Sequence, residues 1–138
     1  MDTNDTSRSK IIEAAVALSE LGLTEMENIQ YFDSSSTGFT GILCGIAMQY
    51  MGNPEKPTVG INSGQDTGKC NVSSRGMWCQ LDKGVDLTVA MRESAASVGG
   101  EGGGHKIASG ATIPAGQEMN FLTYLDKFVG EQKLNHAN

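Results

Sequence analysis

Histidine is scarce in this chain of 138 residues: His105 and His136 are the only two, and His136 stands near the C-terminus. No histidine and carboxylate cluster has the spacing of a metal centre, so the chain's own residues offer no metal site. Cysteine is limited to Cys44, Cys70 and Cys79, an odd count with no Cys-x-x-Cys. That excludes a fully paired disulfide frame and a zinc ribbon, and fits buried, reduced thiols in a cytoplasm. Long apolar runs are missing too. The longest, Phe39 to Met51, is too short to cross a bilayer, and Met1-Asp2-Thr3-Asn4-Asp5 lacks the basic start of a signal peptide. The expectation is a soluble cytoplasmic protein with no membrane partner.

Positive charge is also in deficit, with 10 Lys and Arg against 16 Asp and Glu and a net charge of -6. Nonspecific affinity for nucleic acid comes largely from cations neutralising phosphates, so any such binding here must be local. Familiar catalytic signatures are absent. Gly64 to Lys69 is one residue short of a P-loop, and Cys70 stands where a metal-binding hydroxyl is required. Gly99 to Gly104 follows a helical pattern and has no suitably placed downstream acid, so it is no dinucleotide fingerprint. No Gly-x-Ser-x-Gly elbow occurs, and nothing pairs a serine with His105 as nucleophile and base.

Glycine, by contrast, is abundant at 18 residues, and five of the six positions from Gly99 to Gly104 are glycine. The run ends in His105-Lys106-Ile107-Ala108-Ser109-Gly110, which brings pliable backbone, an imidazole and a cation together. A plain connector would be the ordinary reading of a glycine run. The histidine and lysine favour a binding loop whose exposed amides cradle an anion, with phosphate the obvious candidate.

The length suits one domain, 1–138, and its composition is that of a globular chain. Ile11, Ala15, Leu18 and Leu21 recur at helical spacing, which predicts a first helix over about 9–21 stopped by Gly22. A strand over 29–33 leads to a helix over 41–51, capped by Thr40, apolar nearly all round and carrying Gly41 and Gly45 four apart. Strands over 58–62 and 69–74 form a hairpin, and a short helix follows over 76–83. Asp86 caps a clearer helix with Leu87, Ala90, Met91, Ala95 and Val98 on one face. After the glycine loop come a strand ending at Ile113 and a last helix with Phe121, Leu122, Leu125, Phe128 and Val129 inward. The order α-β-α-β-β-α-α-β-α predicts an α/β layered domain, a small sheet packed by helices.

Period two in the strand over 69–74 puts Cys70, Val72 and Ser74 on one side and Asn71, Ser73 and Arg75 on the other. Arg75 carries a planar, permanently charged fork suited to phosphate, and the Ser73 hydroxyl two residues away adds a donor.

Asn71-Val72-Ser73-Ser74-Arg75 together with Gly102-Gly103-Gly104-His105-Lys106-Ile107-Ala108-Ser109-Gly110 resembles the DHHA1 domain, the C-terminal module of DHH-family phosphoesterases. The likeness runs from about Ile29 to Val129. The phrase from Asp86 through Gly110 to Pro114 looks most like archaeal RecJ-like single-strand exonucleases. The resemblance implies a mixed sheet, and a core at about 29–129. It also implies a separate DHH domain that holds manganese and closes over the substrate; no Asp-His-His occurs in this chain.

Carried over, the resemblance assigns Gly102, Gly103, Gly104 and His105 to the glycine-histidine loop that contacts the phosphate or terminal nucleotide. Lys106, Ser109 and Gly110 complete that motif, while Ser73 and Arg75 match the strand that grips the backbone. Ser109 departs from the family, which more often has alanine there. The implied role is a substrate-binding module that does no catalysis alone and takes no cofactor itself. Its partners would be single-stranded nucleic acid or a nucleotide phosphate, the DHH domain, and replication proteins. Alternatives are a module of a small dinucleotide phosphodiesterase, or an appendage that binds RNA or a protein.

Overall fold

The computed structural model describes residues 12–13, 16–35, 40–63 and 68–137. Its elements in chain order begin with a helix over 16–21 (α1) and strands Thr24–Glu25 (β1) and Gln30–Asp33 (β2). Helix Thr40–Ile46 (α2) and strands Thr58–Ser63 (β3) and Lys69–Arg75 (β4) come next. Helices Trp78–Asp82 (α3) and Leu87–Ser97 (α4), strands Glu101–His105 (β5) and Ala108–Pro114 (β6), and helix Glu118–Ala137 (α5) complete the domain.

The strands form one mixed sheet in the order β1-β2-β3-β4-β6-β5. Only β2 and β3 run parallel, and the connection between them carries α2. The other pairs are antiparallel, including the β3–β4 hairpin that the sequence predicts. Alternation along the strands builds two layers. Val59, Ile61, Cys70, Val72 and Ile113 point into the main core with Ala90, Met91, Phe121, Leu122 and Leu125 of α4 and α5. On the opposite face Phe32 packs with Leu18, Leu43, Cys44 and Ala47, which seats α1 and α2.

Local chemistry explains several boundaries. The Asp86 carboxylate accepts the Thr88 and Val89 N–H groups at 3.0 and 3.4 Å, satisfying the first turn of α4 as expected of a cap. Gly99, at φ +84, lets the chain leave that helix. Thr40 opens α2 from inside it rather than capping it, and its hydroxyl bonds that of Ser34 at 2.6 Å.

The expected helix over 41–51 is two pieces. α2 ends at Ile46 and a π-helical turn, Ala47–Met51, follows, closed by the Gly52 N–H on the Ala47 carbonyl at 2.7 Å. It is not buried all round: Leu43, Cys44, Ala47 and Met48 face inward, while Ile42, Tyr50 and Met51 are exposed. Among the cysteines, Cys44 and Cys70 are buried as expected but Cys79 is exposed. The start of the first expected helix, through residue 11, and most of the expected 64–68 turn lie outside the described residues.

The largest difference concerns the glycine run. It is not a loop: Glu101–His105 is the edge strand β5, joined to β6 by a two-residue turn at Lys106 and Ile107. Glycine hides a strand because it has no side chain to alternate. Here it serves close packing, since a Cβ on Gly102 would lie 2.7 Å from the Met91 carbonyl oxygen of α4.

Candidate phosphate-binding face

Register decides which sequence-predicted residues meet. Ser73 pairs with Gly110, and Gly110 pairs with Gly103, so these three form one row across β4, β6 and β5. Arg75, Ala108 and His105 form the row two residues along. Alternation puts both rows on the α2 side of the sheet, where Ser73, Arg75, Gly103, Ala108 and Gly110 are half-buried and His105 is exposed. With strands about 4.8 Å apart, the Arg75 and His105 backbones stand about 10 Å from each other across Ala108.

Gly102 and Gly104 belong to the other set of rows. Gly102 faces α4, and Gly104, at φ +145, would bring a Cβ within 2.9 Å of the Ala108 carbonyl. Ser109 is buried on that side too, its hydroxyl donating to the His105 carbonyl at 2.5 Å while its own carbonyl accepts from Ser74 Oγ at 2.9 Å. These three therefore shape the strand and its turn instead of lining the open face. The glycines lie in a strand and not in a loop, so the amides they can offer an anion are those on the open edge of β5, in the plane of the sheet. Their contribution to the open face is a floor without side chains at Gly103 and Gly110.

The His105 corner is held from several sides. The Gly76 N–H donates to the Ile107 carbonyl at 2.8 Å, the Leu87 N–H to the Lys106 carbonyl at 2.9 Å, and the Thr88 hydroxyl to the Gly104 carbonyl at 3.3 Å. His105 Nδ1 accepts the Ile107 N–H at 3.4 Å, which leaves Nε2 to carry the proton of a neutral ring and to donate outward. Lys106 is exposed at the rim.

Arg75 ends β4 beside α2. A Cβ on Gly45 would sit 3.8 Å from Arg75 Nε, an ordinary contact, so the helix backbone runs alongside the guanidinium without crowding it. Among the described residues no carboxylate forms an ion pair with Arg75. It borders a cleft of about 410 Å³ with Met48, Gln49, Met77, Trp78 and Ile107. Trp78 was not among the residues the sequence singled out. Its indole is 61% exposed and meets the His105 ring edge to face at 6.2 Å. Its only signal in the sequence is that the chain's single tryptophan follows Arg75 by three residues.

Cys44 lies under this face. Its thiol donates to the Thr58 carbonyl at 3.0 Å, and burial pushes it up to about 12, against a smaller opposing pull from the Arg75 charge. It remains a neutral packing group. Among the described residues, no three His, Cys, Asp or Glu side chains gather as metal ligands, and no helix is long and apolar enough to cross a membrane.

The comparisons with known proteins agree with this architecture. The uncharacterized protein MJ0831 of Methanocaldococcus jannaschii is 35% identical over 115 residues, which are 83% of this chain and 24% of that protein. This chain thus spans about a quarter of that relative. The C-Ala domain of Aquifex aeolicus alanyl-tRNA synthetase superposes with a TM-score of 0.58 at 12% identity, covering 81% of this chain and 98% of that one. The pGpG-specific phosphodiesterase PggH of Vibrio cholerae gives a TM-score of 0.60 at 12% identity, covering 92% of this chain and 43% of that one. At such identities these two superpositions speak for the fold. The family model of the DHHA1 domain matches residues 28–131, and the chain belongs to that family.

Proposed function

We propose that this domain is the substrate-gripping part of a RecJ-like DHH-family exonuclease, and that single-stranded nucleic acid is what it holds. The supporting observation is the pair of rows Ser73–Gly110–Gly103 and Arg75–Ala108–His105 on one open face. Arg75 offers a bidentate fork to one phosphate, His105 donates from Nε2 to the same phosphate or its neighbour, and the Ser73 hydroxyl adds a third donor. The glycine floor lets a sugar-phosphate chain lie close to the sheet. Hydrolysis belongs in this proposal to a DHH domain bearing manganese, and among the described residues of this domain no three His, Cys, Asp or Glu side chains gather as ligands for that metal.

Phosphate contacts carry no base sequence, so binding is sequence-tolerant, salt-dependent and, on an acidic domain, weak. Fluorescence anisotropy of a labelled single-stranded oligonucleotide across a salt series tests this. The expected result is binding that falls with salt and drops roughly tenfold or more in Arg75→Ala and His105→Ala, the range of a charge-assisted hydrogen bond. Affinity indifferent to both changes would sink the reading.

The cleft beside Arg75 favours a second reading, a compact dinucleotide substrate, because about 410 Å³ is within the range of small-ligand pockets. Competition between a dinucleotide and the oligonucleotide separates the two. A dinucleotide that displaces the oligomer at equal or lower concentration selects the second.

A further inference from the structure

We infer that Trp78 is a stacking platform for one unpaired nucleobase, the base attached to the phosphate that Arg75 grips. The inference rests on the phosphate-binding reading above and adds a base subsite to it.

An indole contributes most to stability when its apolar surface leaves water, yet Trp78 is 61% exposed and takes no part in either core cluster. It is nevertheless fixed in place. It starts α3 immediately after Met77, and Gly76 is tied by its N–H to the Ile107 carbonyl at 2.8 Å. The His105 ring stands at 88° to it with centroids 6.2 Å apart, so the imidazole occupies at most one of the two indole faces. A planar base has the other.

The surroundings suit a base. Trp78 shares the cleft with Arg75, so a nucleotide whose phosphate meets the guanidinium has its base within reach of the indole. Met48, Met77 and Ile107 supply apolar surface, and Gln49 supplies an amide able to donate and accept at a base edge. Stacking on an aromatic is tolerant of base identity because every base has a π-face. The subsite therefore distinguishes a nucleotide from a bare phosphate or an abasic sugar-phosphate, and prefers single strands because a paired base is already stacked.

The sole tryptophan is its own reporter. The 138-residue chain is titrated with the 5′-phosphorylated dinucleotide of two deoxyadenosines and with the matching abasic dinucleotide. Indole emission and displacement of a labelled oligonucleotide are read together. The expected result is quenching of Trp78 by the base-bearing ligand and at least tenfold tighter binding than the abasic one, a typical effect of removing one stacked base. Trp78→Ala, checked for native far-ultraviolet dichroism, loses that preference but keeps salt-dependent binding, while Trp78→Phe keeps part of it. Equal binding of both ligands to wild type, with Arg75→Ala still impaired, overturns the stacking platform and leaves the phosphate reading standing. A base preference that survives in Trp78→Ala does the same. If neither ligand binds, or binding ignores Arg75→Ala, both readings fall.

Discussion

The imidazole of His105 and the indole of Trp78 meet edge to face, 6.2 Å between centroids and 88° between planes, across a gap of 27 positions in sequence. The last residue of β5 carries one ring and the first residue of α3 carries the other. Removing the imidazole in His105→Ala should alter the near-ultraviolet dichroism and emission of the only tryptophan. A double-mutant cycle should return a coupling of about 0.5 kcal/mol, the low end for aromatic pairs, because both rings are exposed. Unchanged spectra would contradict the contact.

Two glycines on helix-bearing faces should respond in opposite ways to an added methyl group. In Gly102→Ala the new Cβ meets the Met91 carbonyl oxygen at 2.7 Å, so α4 must shift. Overpacking of this kind costs about 1–3 kcal/mol. In Gly45→Ala the nearest atom is 3.8 Å away, an ordinary contact, and the helical position gains about 0.5–1 kcal/mol from the better helix former. Urea denaturation measures both.

Asp126 ties the C-terminal helix to the start of β2. Its Oδ1 accepts the Asn28 N–H at 2.6 Å and the Ile29 N–H at 3.1 Å, and its carbonyl accepts from Asn28 Nδ2 at 3.1 Å. Asp126→Ala strands two half-buried donors and should lower stability by about 1–3 kcal/mol. Asp126→Asn, which keeps an accepting oxygen, should lose less. Equal losses in the two variants would argue against the carboxylate's role.

Alkaline pH should act through Cys44. Its thiol ionises near 9.0 in an unfolded chain and at about 12 when folded, so over that window the unfolded state has released a proton that the folded state retains. Stability is intact below pH 9 and falls as pH rises toward 12. Cys44→Ala, though less stable at neutral pH, should show a shallower loss across that interval. Parallel curves for the two proteins would show that the buried thiol does not contribute.

Helices and the β3–β4 hairpin were legible because their signals are local: apolar spacing, the Asp86 cap, and the alternation of Cys70, Val72 and Ser74. The glycine strand was not. Its three glycines have neither alternation nor β-propensity, and β5 exists because α4 lies against it and β6 pairs with it. β1, two residues long and exposed, has no pattern to read. Ser73, Arg75, Gly103, Gly110 and His105 share one face because of register, which no local pattern encodes. Trp78 escaped notice for the same reason, since its neighbours come from β4, α2 and the β5–β6 turn.

The place of β5 at the end of the sheet gives the two sides of the open face that carries Arg75 and His105 different lifetimes. The Arg75 side hangs on β4, flanked by β3 and β6, while the His105 side hangs on a strand with a neighbour on one side only. In deuterated water, alternate amides of Glu101–His105 should exchange early through fraying, and those of Val59 to Ile61 should wait for global unfolding. On the proposed phosphate-binding reading, one half of the ligand would rest on a fixed rail and the other on a hairpin that opens and recloses many times before the whole unfolds.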